Sequence, residues 1–233
     1  MSPASEALIA FHEGVWLSTT PLSYLGMRLT ATMTVLRLGD GGLLLYSPLA
    51  MTSERRAAVE ALGPVAHLYA PNLFHHRWIG EWQAAFPAAR LHAPPGLAKK
   101  RRDLRVDRVH DEAPEPAFSG VVDEIRIEGF RLREAVLVHR PARTLVTADL
   151  VQNVGRPAHR WTIMYTRAAG FYDRVALSRV IRWTGFDDRR AARRSIDDLL
   201  GRSFDHLVVG HGQPVADGAR QALATAYEWL RGP

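Results

Sequence analysis

The chain has 233 residues with 30 Lys+Arg against 24 Asp+Glu, a formal net charge of +6, 47% hydrophobic residues, ten His and no Cys. That length and composition predict one domain over residues 1–233 with a sizeable core, and exclude both a disordered chain and a disulfide scaffold. No apolar run approaches the ~20 residues that span a bilayer, and the start, Met-Ser-Pro-Ala-Ser-Glu, lacks the basic and apolar regions of a signal peptide. A cytoplasmic protein with no membrane contact is expected. Without Cys there is no thiolate nucleophile, CxxC pair or Cys-bound zinc, so metal chemistry here would rest on His and carboxylates.

Residues 32–38 alternate with period two, 39–42 supply Gly and Asp for a turn, and 43–47 return as a second strand, which predicts a hairpin. Thr52 or Ser53 caps a helix over 54–62, closed by Gly63-Pro64, and 65–70 follow as a buried strand. Residues 71–76 then form a loop off that strand's C-terminal end, leading to an amphipathic helix over 78–86, a short strand over 89–93 and a short basic helix over 97–103. Past a Pro-rich loop at 109–119, strands are expected over 121–127, 134–139 and 144–147. Residues 161–170 read equally as strand or helix. Asp173 is expected to cap a helix to Trp183, Asp187-Asp188 to open one to Leu200, and 215–230 to form a terminal helix after a buried strand over 204–209. Mixed strands and helices without a separable linker predict an α/β fold.

The dense basic runs, Lys99 to Arg102 continuing to Arg105 and Arg108, and Arg189-Arg190 with Arg193-Arg194, lack the interleaved aromatics of a single-strand binder. They read as solvated helix faces, and nucleic acid is not an expected partner. No P-loop, GxSxG elbow or dinucleotide fingerprint is present.

Three loops put metal-competent residues directly after hydrophobic strands, where open α/β sheets collect ligands: Asn72-Leu-Phe-His75-His76, Thr147-Ala-Asp149 and Gly210-His211-Gly212. Imidazole and carboxylate suit zinc, iron or manganese, and a His, Asp, His set suffices for one open site. His67, His92 and His206 lie in or beside apolar strands and read as core. His139 reads as a partner for a backbone group, and His12, His110 and His159 as loop residues.

The order hairpin, helix, strand, His-bearing loop, strand-Asp, strand-Gly-His resembles the metallo-β-lactamase-fold hydrolases. More closely, Ala70-Pro-Asn72 to His75-His76, Gly80-Glu81-Trp82, the segment from His139 to Asp149 and Val209-Gly-His211-Gly look like a domain-of-unknown-function branch within or beside that superfamily. The resemblance implies a four-layer αββα sandwich with its site at one edge. The superfamily's His-x-His-x-Asp-His run is here Asn-Leu-Phe-His-His-Arg, and no His stands near Gly129-Phe130, where its Pro-Gly-His turn would fall. What remains implies a reduced, mononuclear site for one divalent metal, zinc, iron or manganese. His76, Asp149 and His211 are its expected ligands, with His75 the alternative to His76, and His75 and Asp149 its expected catalytic residues, His75 as proton shuttle. The expected activity is hydrolysis of a small-molecule ester, lactone, thioester or phosphodiester, with an anionic substrate favoured by the positive charge. The alternative is a catalytically inactive, metal-free descendant that binds small anions or a partner, with Arg77, Arg140 and Arg143 at the same edge.

Overall fold

The first hairpin is the middle of a larger sheet. In a computed structural model describing residues 7–230, strands β1 (Ile9–His12), β2 (Val15–Tyr24), β3 (Met27–Arg37), β4 (Leu43–Tyr46), β5 (Val65–Tyr69), β6 (Arg90–Ala93) and β7 (Arg108–Val109) lie side by side in chain order. The signal-peptide reading of Met1–Glu6 falls outside the described residues. Pairing is antiparallel from β1 to β4 and parallel from β4 to β7. A second sheet holds β8 (Val122–Arg126), β9 (Ala135–His139), β10 (Thr144–Val146) and β11 (His206–Val208) in the order β11-β10-β9-β8. Its β10 and β11 are parallel, Thr144 opposite His206, and the rest is an antiparallel meander.

Helices α1 (Ser53–Glu60), α2 (Ile79–Ala85), α3 (Leu97–Lys100), α4 (Arg160–Ala169), α5 (Arg179–Thr184), α6 (Arg189–Gly201) and α7 (Ala219–Ala226) cover these sheets. Alternation along the strands decides which side chain enters which layer. Leu43, Leu45 and Leu68 turn outward onto Val59 of α1, Trp82 of α2 and Leu97 of α3. Leu44, Tyr46 and Tyr69 turn inward against Leu137 and Val146 of the second sheet. Val136, Val138 and Leu145 face the other way, onto Ile196 of α6 and Leu223 of α7. The result is α, β, β, α, the expected sandwich. Each such Leu or Val, fully buried, contributes about 1.5–3 kcal/mol.

The local signals locate most elements. Thr52 Oγ1 accepts from Arg55 N at 3.2 Å to cap α1, and Asp188 Oδ1 accepts from the Arg190 and Ala191 amides at 2.9 Å to cap α6. Two expectations need correcting, one open segment is resolved and two strands are new. The ambiguous 161–170 segment is the helix α4, closed by Gly170 in a left-handed conformation at φ 83°. Asp173 has φ 52° and caps nothing; its carboxylate pairs with Arg156 instead, and α5 begins only at Arg179. Val215 bridges back to Leu207, so the terminal helix starts at Ala219 and breaks into a 3₁₀ turn at Glu228–Leu230. Strands β1, at the sheet's edge, and β2 beside it escape the sequence patterns because several of their positions stay in water. No helix among the described residues is long and apolar enough to cross a membrane.

Three arginines of the first basic run are occupied within the fold. Arg101 pairs with Asp103, Arg105 with Asp107, and Arg108 is buried against Glu124. Arg140 and Arg143 sit in the β9–β10 turn, at the opposite end of the sheet from Asp149, paired with Asp123 and Asp205. They are therefore not at the edge expected for them and cannot bind an anion beside Asp149.

Candidate metal centre

The parallel ends of both sheets bring the predicted loops together. Nε2 of His75 lies 3.3 Å from Asp149 Oδ2, and Nε2 of His211 lies 3.5 Å from Asp149 Oδ1. All three side chains are nearly buried, at 10%, 12% and 12% exposure for His75, His211 and Asp149. Zinc bound at 2.0–2.2 Å in tetrahedral geometry holds its donors about 3.3–3.6 Å apart. Both observed spacings have that size, and one donor atom from each of the three residues lies within 4.8 Å of the others, a group that could hold such an ion.

Each imidazole is fixed from behind. His211 Nδ1 is 3.0 Å from the Thr30 carbonyl on β3. A carbonyl only accepts, so that nitrogen carries the proton, and in the neutral ring Nε2 turns a lone pair toward a carboxylate oxygen. Two acceptors facing each other at this distance suit a cation between them. His75 Nδ1 meets Ser47 Oγ at 2.8 Å. Ser47 has φ 53°, a left-handed conformation uncommon for a non-glycine residue. Partners of this kind set ring orientation and tautomer in metal sites.

His76 stands outside the group, which reverses the expected order of the pair. Asn72 Oδ1 accepts from the Phe74 and His75 amides at 2.8 and 2.9 Å. This Asx-type turn aims His75 at Asp149. Adjacent residues then diverge, and His76 has its Nε2 at the Leu73 carbonyl, 3.0 Å, and its Nδ1 at Arg101 Nη1, 3.2 Å. His139 is structural as expected, with Nε2 3.0 Å from the Arg37 carbonyl.

The glycines around His211 are steric requirements. A Cβ at Gly210 would stand 2.6 Å from the Ala148 carbonyl oxygen, and one at Gly212, φ 112°, would stand 2.0 Å from that of Asn153. They let the His211 loop lie directly on the Asp149 loop.

Glu134 is the residue the sequence reading missed. It precedes β9, is 1% exposed, and its carboxylate accepts from the Ala148 and Asp149 amides at 2.8 Å and from Leu150 at 3.2 Å. Asn72 Nδ2 bridges Glu134 and Asp149, 3.0 Å to each. Burial and the charge of Asp149 push Glu134 up to about 7, against the opposing effect of those donors. Burial alone would raise Asp149, yet His75 and His211 outweigh it and hold its carboxyl well below the usual range. His75 is raised: burial opposes its charge, but Asp149 and Glu134 prevail. No local pattern marks Glu134 as more than the first residue of an apolar strand.

A second polar group lies between the sheets, near the β7 and β8 edges. His67 Nδ1 and His92 Nε2 are 2.8 Å apart, and Glu115 lies close enough that donor atoms of all three fall within 4.8 Å of one another. Beside them His110 is a buried residue stacked on Tyr69, ring centroids 4.6 Å apart, and neither of its ring nitrogens has a hydrogen-bond partner. Burial, reinforced by neighbouring cations, lowers His92 to about 2 and His110 to about 3. A free His titrates near 6.5, so the unfolded chain takes up these protons first. Stability is therefore complete above that pH and falls below it by about 1.4 kcal/mol per pH unit for each group. Urea midpoints are expected to drop steeply from pH 6.5 toward 5, and His110→Phe, which keeps the stack on Tyr69, to make the drop shallower. An identical slope in that variant would rule His110 out as a contributor.

No family model and no curated protein matches the chain. Solved structures do. A metallo-β-lactamase from Pontibacter korlensis matches with TM-score 0.66 and 13% identity over 97% of this chain and 99% of that one. The mono-zinc form of the metallo-β-lactamase FIM-1 from Pseudomonas aeruginosa matches with TM-score 0.62 and 11% identity over the full length of both. A metal-soaked flavodiiron core, Flv1 from Synechocystis, matches with TM-score 0.65 and 12% identity, covering 96% of this chain and 60% of that one. The chain therefore has the metallo-β-lactamase fold, and at these identities the likeness speaks for the fold alone.

Proposed function

We propose that the protein is a metal-dependent hydrolase with a single-metal site formed by His75, Asp149 and His211. The observation that carries this reading is His211: its Nδ1–H is committed to Thr30, leaving a lone pair aimed at the Asp149 carboxylate across 3.5 Å. A divalent ion of the zinc, iron or manganese class, when bound there, would acidify a bound water and polarise a carbonyl or phosphoryl oxygen. Asp149 supplies the anionic ligand. Asn72 donates to its carboxylate and fixes its orientation. Ser47 and Thr30 hold the ring planes, while Glu134 holds the backbone of 148–150. His75 takes the ligand role first expected of His76, and with it leaves the role of proton shuttle. Small-molecule esters, lactones, thioesters and phosphodiesters are the substrate classes to survey, anionic ones first.

Purified protein stripped with chelator and reloaded should bind zinc at this site, with hydrolysis of one such substrate appearing on loading. His75→Ala is expected to lose the ion at this site, measured by elemental analysis after dialysis, and His76→Ala to retain it. A zinc content in His75→Ala no lower than that of the parent chain, where one equivalent fewer is expected, would refute the assignment. A site that takes up no zinc, iron or manganese at all would favour the binding-module reading.

A further inference from the structure

We propose that His67, His92 and Glu115 form a second site for a divalent transition metal, separate from the His75, Asp149 and His211 group and independent of its function. Two imidazole nitrogens and a carboxylate are a donor set that zinc accepts with one position left open. Magnesium and calcium, which prefer oxygen donors, are not expected there.

The geometry requires small adjustments. His67 projects from β5 and His92 from β6 into the layer between the sheets, where both rings pack against Phe118. His67 Nδ1 and His92 Nε2 point at each other across 2.8 Å, so the two nitrogens part by about 0.5 Å to flank an ion at zinc distances. Arg108 Nη1 faces His92 Nδ1 at 3.4 Å, which places the His92 proton on Nε2 and makes His67 Nδ1 the acceptor. Binding moves that proton to His92 Nδ1, with no net release. That N–H then opposes the Arg108 Nη1 donor, so Arg108 has to turn away from His92 while it keeps its pairing with Glu124. Glu115 is the mobile partner. Its Oε1 accepts from Arg90 Nη1 at 3.1 Å, and its buried Oε2 lies 2.8 Å from the same nitrogen in an ion contact without hydrogen-bond geometry. Arg90 is half exposed and can turn to solvent, freeing the carboxylate.

An independent feature also points to a ligand. A cavity of about 670 Å³, lined by Arg108, His110, Phe118 and Glu124 among others, reaches this group at Glu115. His110, on its wall, is 4% exposed with both nitrogens unpartnered. Buried polar atoms are rarely left so, and this unfilled requirement lies next to the His, His, Glu triad.

The test uses the full chain carrying His75→Ala and His211→Ala, so that the first site cannot contribute. After chelator treatment, cobalt and zinc titrations followed by visible absorption and calorimetry should each saturate at one equivalent, unaffected by excess magnesium. Adding His92→Gln, or Glu115→Gln should His92→Gln fail to fold, should weaken binding by at least about tenfold, more than loss of an outer-shell contact costs at the least. Absence of binding in the starting variant overturns the proposal. So does binding that is indifferent to both added substitutions, which would mark an adventitious surface ion.

Discussion

Replacing Glu134 by alanine is expected to destabilise the protein by about 3–5 kcal/mol, the cost of removing one partner from a buried charged network. The carboxylate is the common acceptor for the amides of Ala148, Asp149 and Leu150 and for the Asn72 side chain. Its removal leaves these donors buried without partners, each costing about 1–3 kcal/mol before the loop relaxes. Glutamine is no substitute, because whichever way its amide points, an NH₂ group meets a donor. Denaturant unfolding of the metal-free protein at pH 7 measures the loss, and a change under about 1 kcal/mol would show that the loop holds its own shape. The effect reaches the site as well: without Glu134 the Asp149 backbone loses its anchor, so metal affinity should fall even though no ligand has been touched.

Asp149→Asn should leave the fold intact while removing the only anion among the proposed ligands. Zinc affinity is expected to drop by more than the ~10–100-fold typical of an outer-shell substitution, read by competition with a chromophoric chelator. The same variant has a readout that needs no metal. Asp149 is the leading influence that raises His75 against burial, so without it the His75 proton should be held less tightly, and its NMR titration should move to lower pH. If that titration stays in place, Asp149 does not govern His75 in solution. Unchanged zinc affinity with a shifted titration would mean that the ion binds elsewhere, and the His67, His92 and Glu115 group becomes the first alternative.

The two experiments separate support from ligation. Glu134→Ala acts on stability first and on metal through the displaced loop, whereas Asp149→Asn acts on the ion directly. Asn72 couples the two carboxylates, donating 3.0 Å hydrogen bonds to both. Its own substitution should therefore combine both effects and also release the turn that aims His75.

Much of the architecture is legible in the chain because it rests on local chemistry. Period-two alternation over 32–38 and the Gly-rich turn specify a hairpin, and Thr52 and Asp188 announce helices through their capping oxygens. Strand-end positions likewise single out Asp149 and His211, since parallel strands must deliver their loops to one edge. The His75-His76 pair is different. Which ring faces the site depends on the turn built by Asn72 and on Arg101, 25 residues away, engaging His76. Glu134 is invisible for a similar reason: its partners at 148–150 lie across a sheet connection and are backbone amides, which leave no mark in a sequence. His110 lies in a turn as expected, but its burial is not legible because it comes from stacking on Tyr69 of β5. Sequence alone determined the α/β order and the short set of residues able to bind a metal, through periodicity, capping and donor chemistry. Only the tertiary structure decided which of them converge, because convergence depends on register and on hydrogen bonds between residues far apart in the chain.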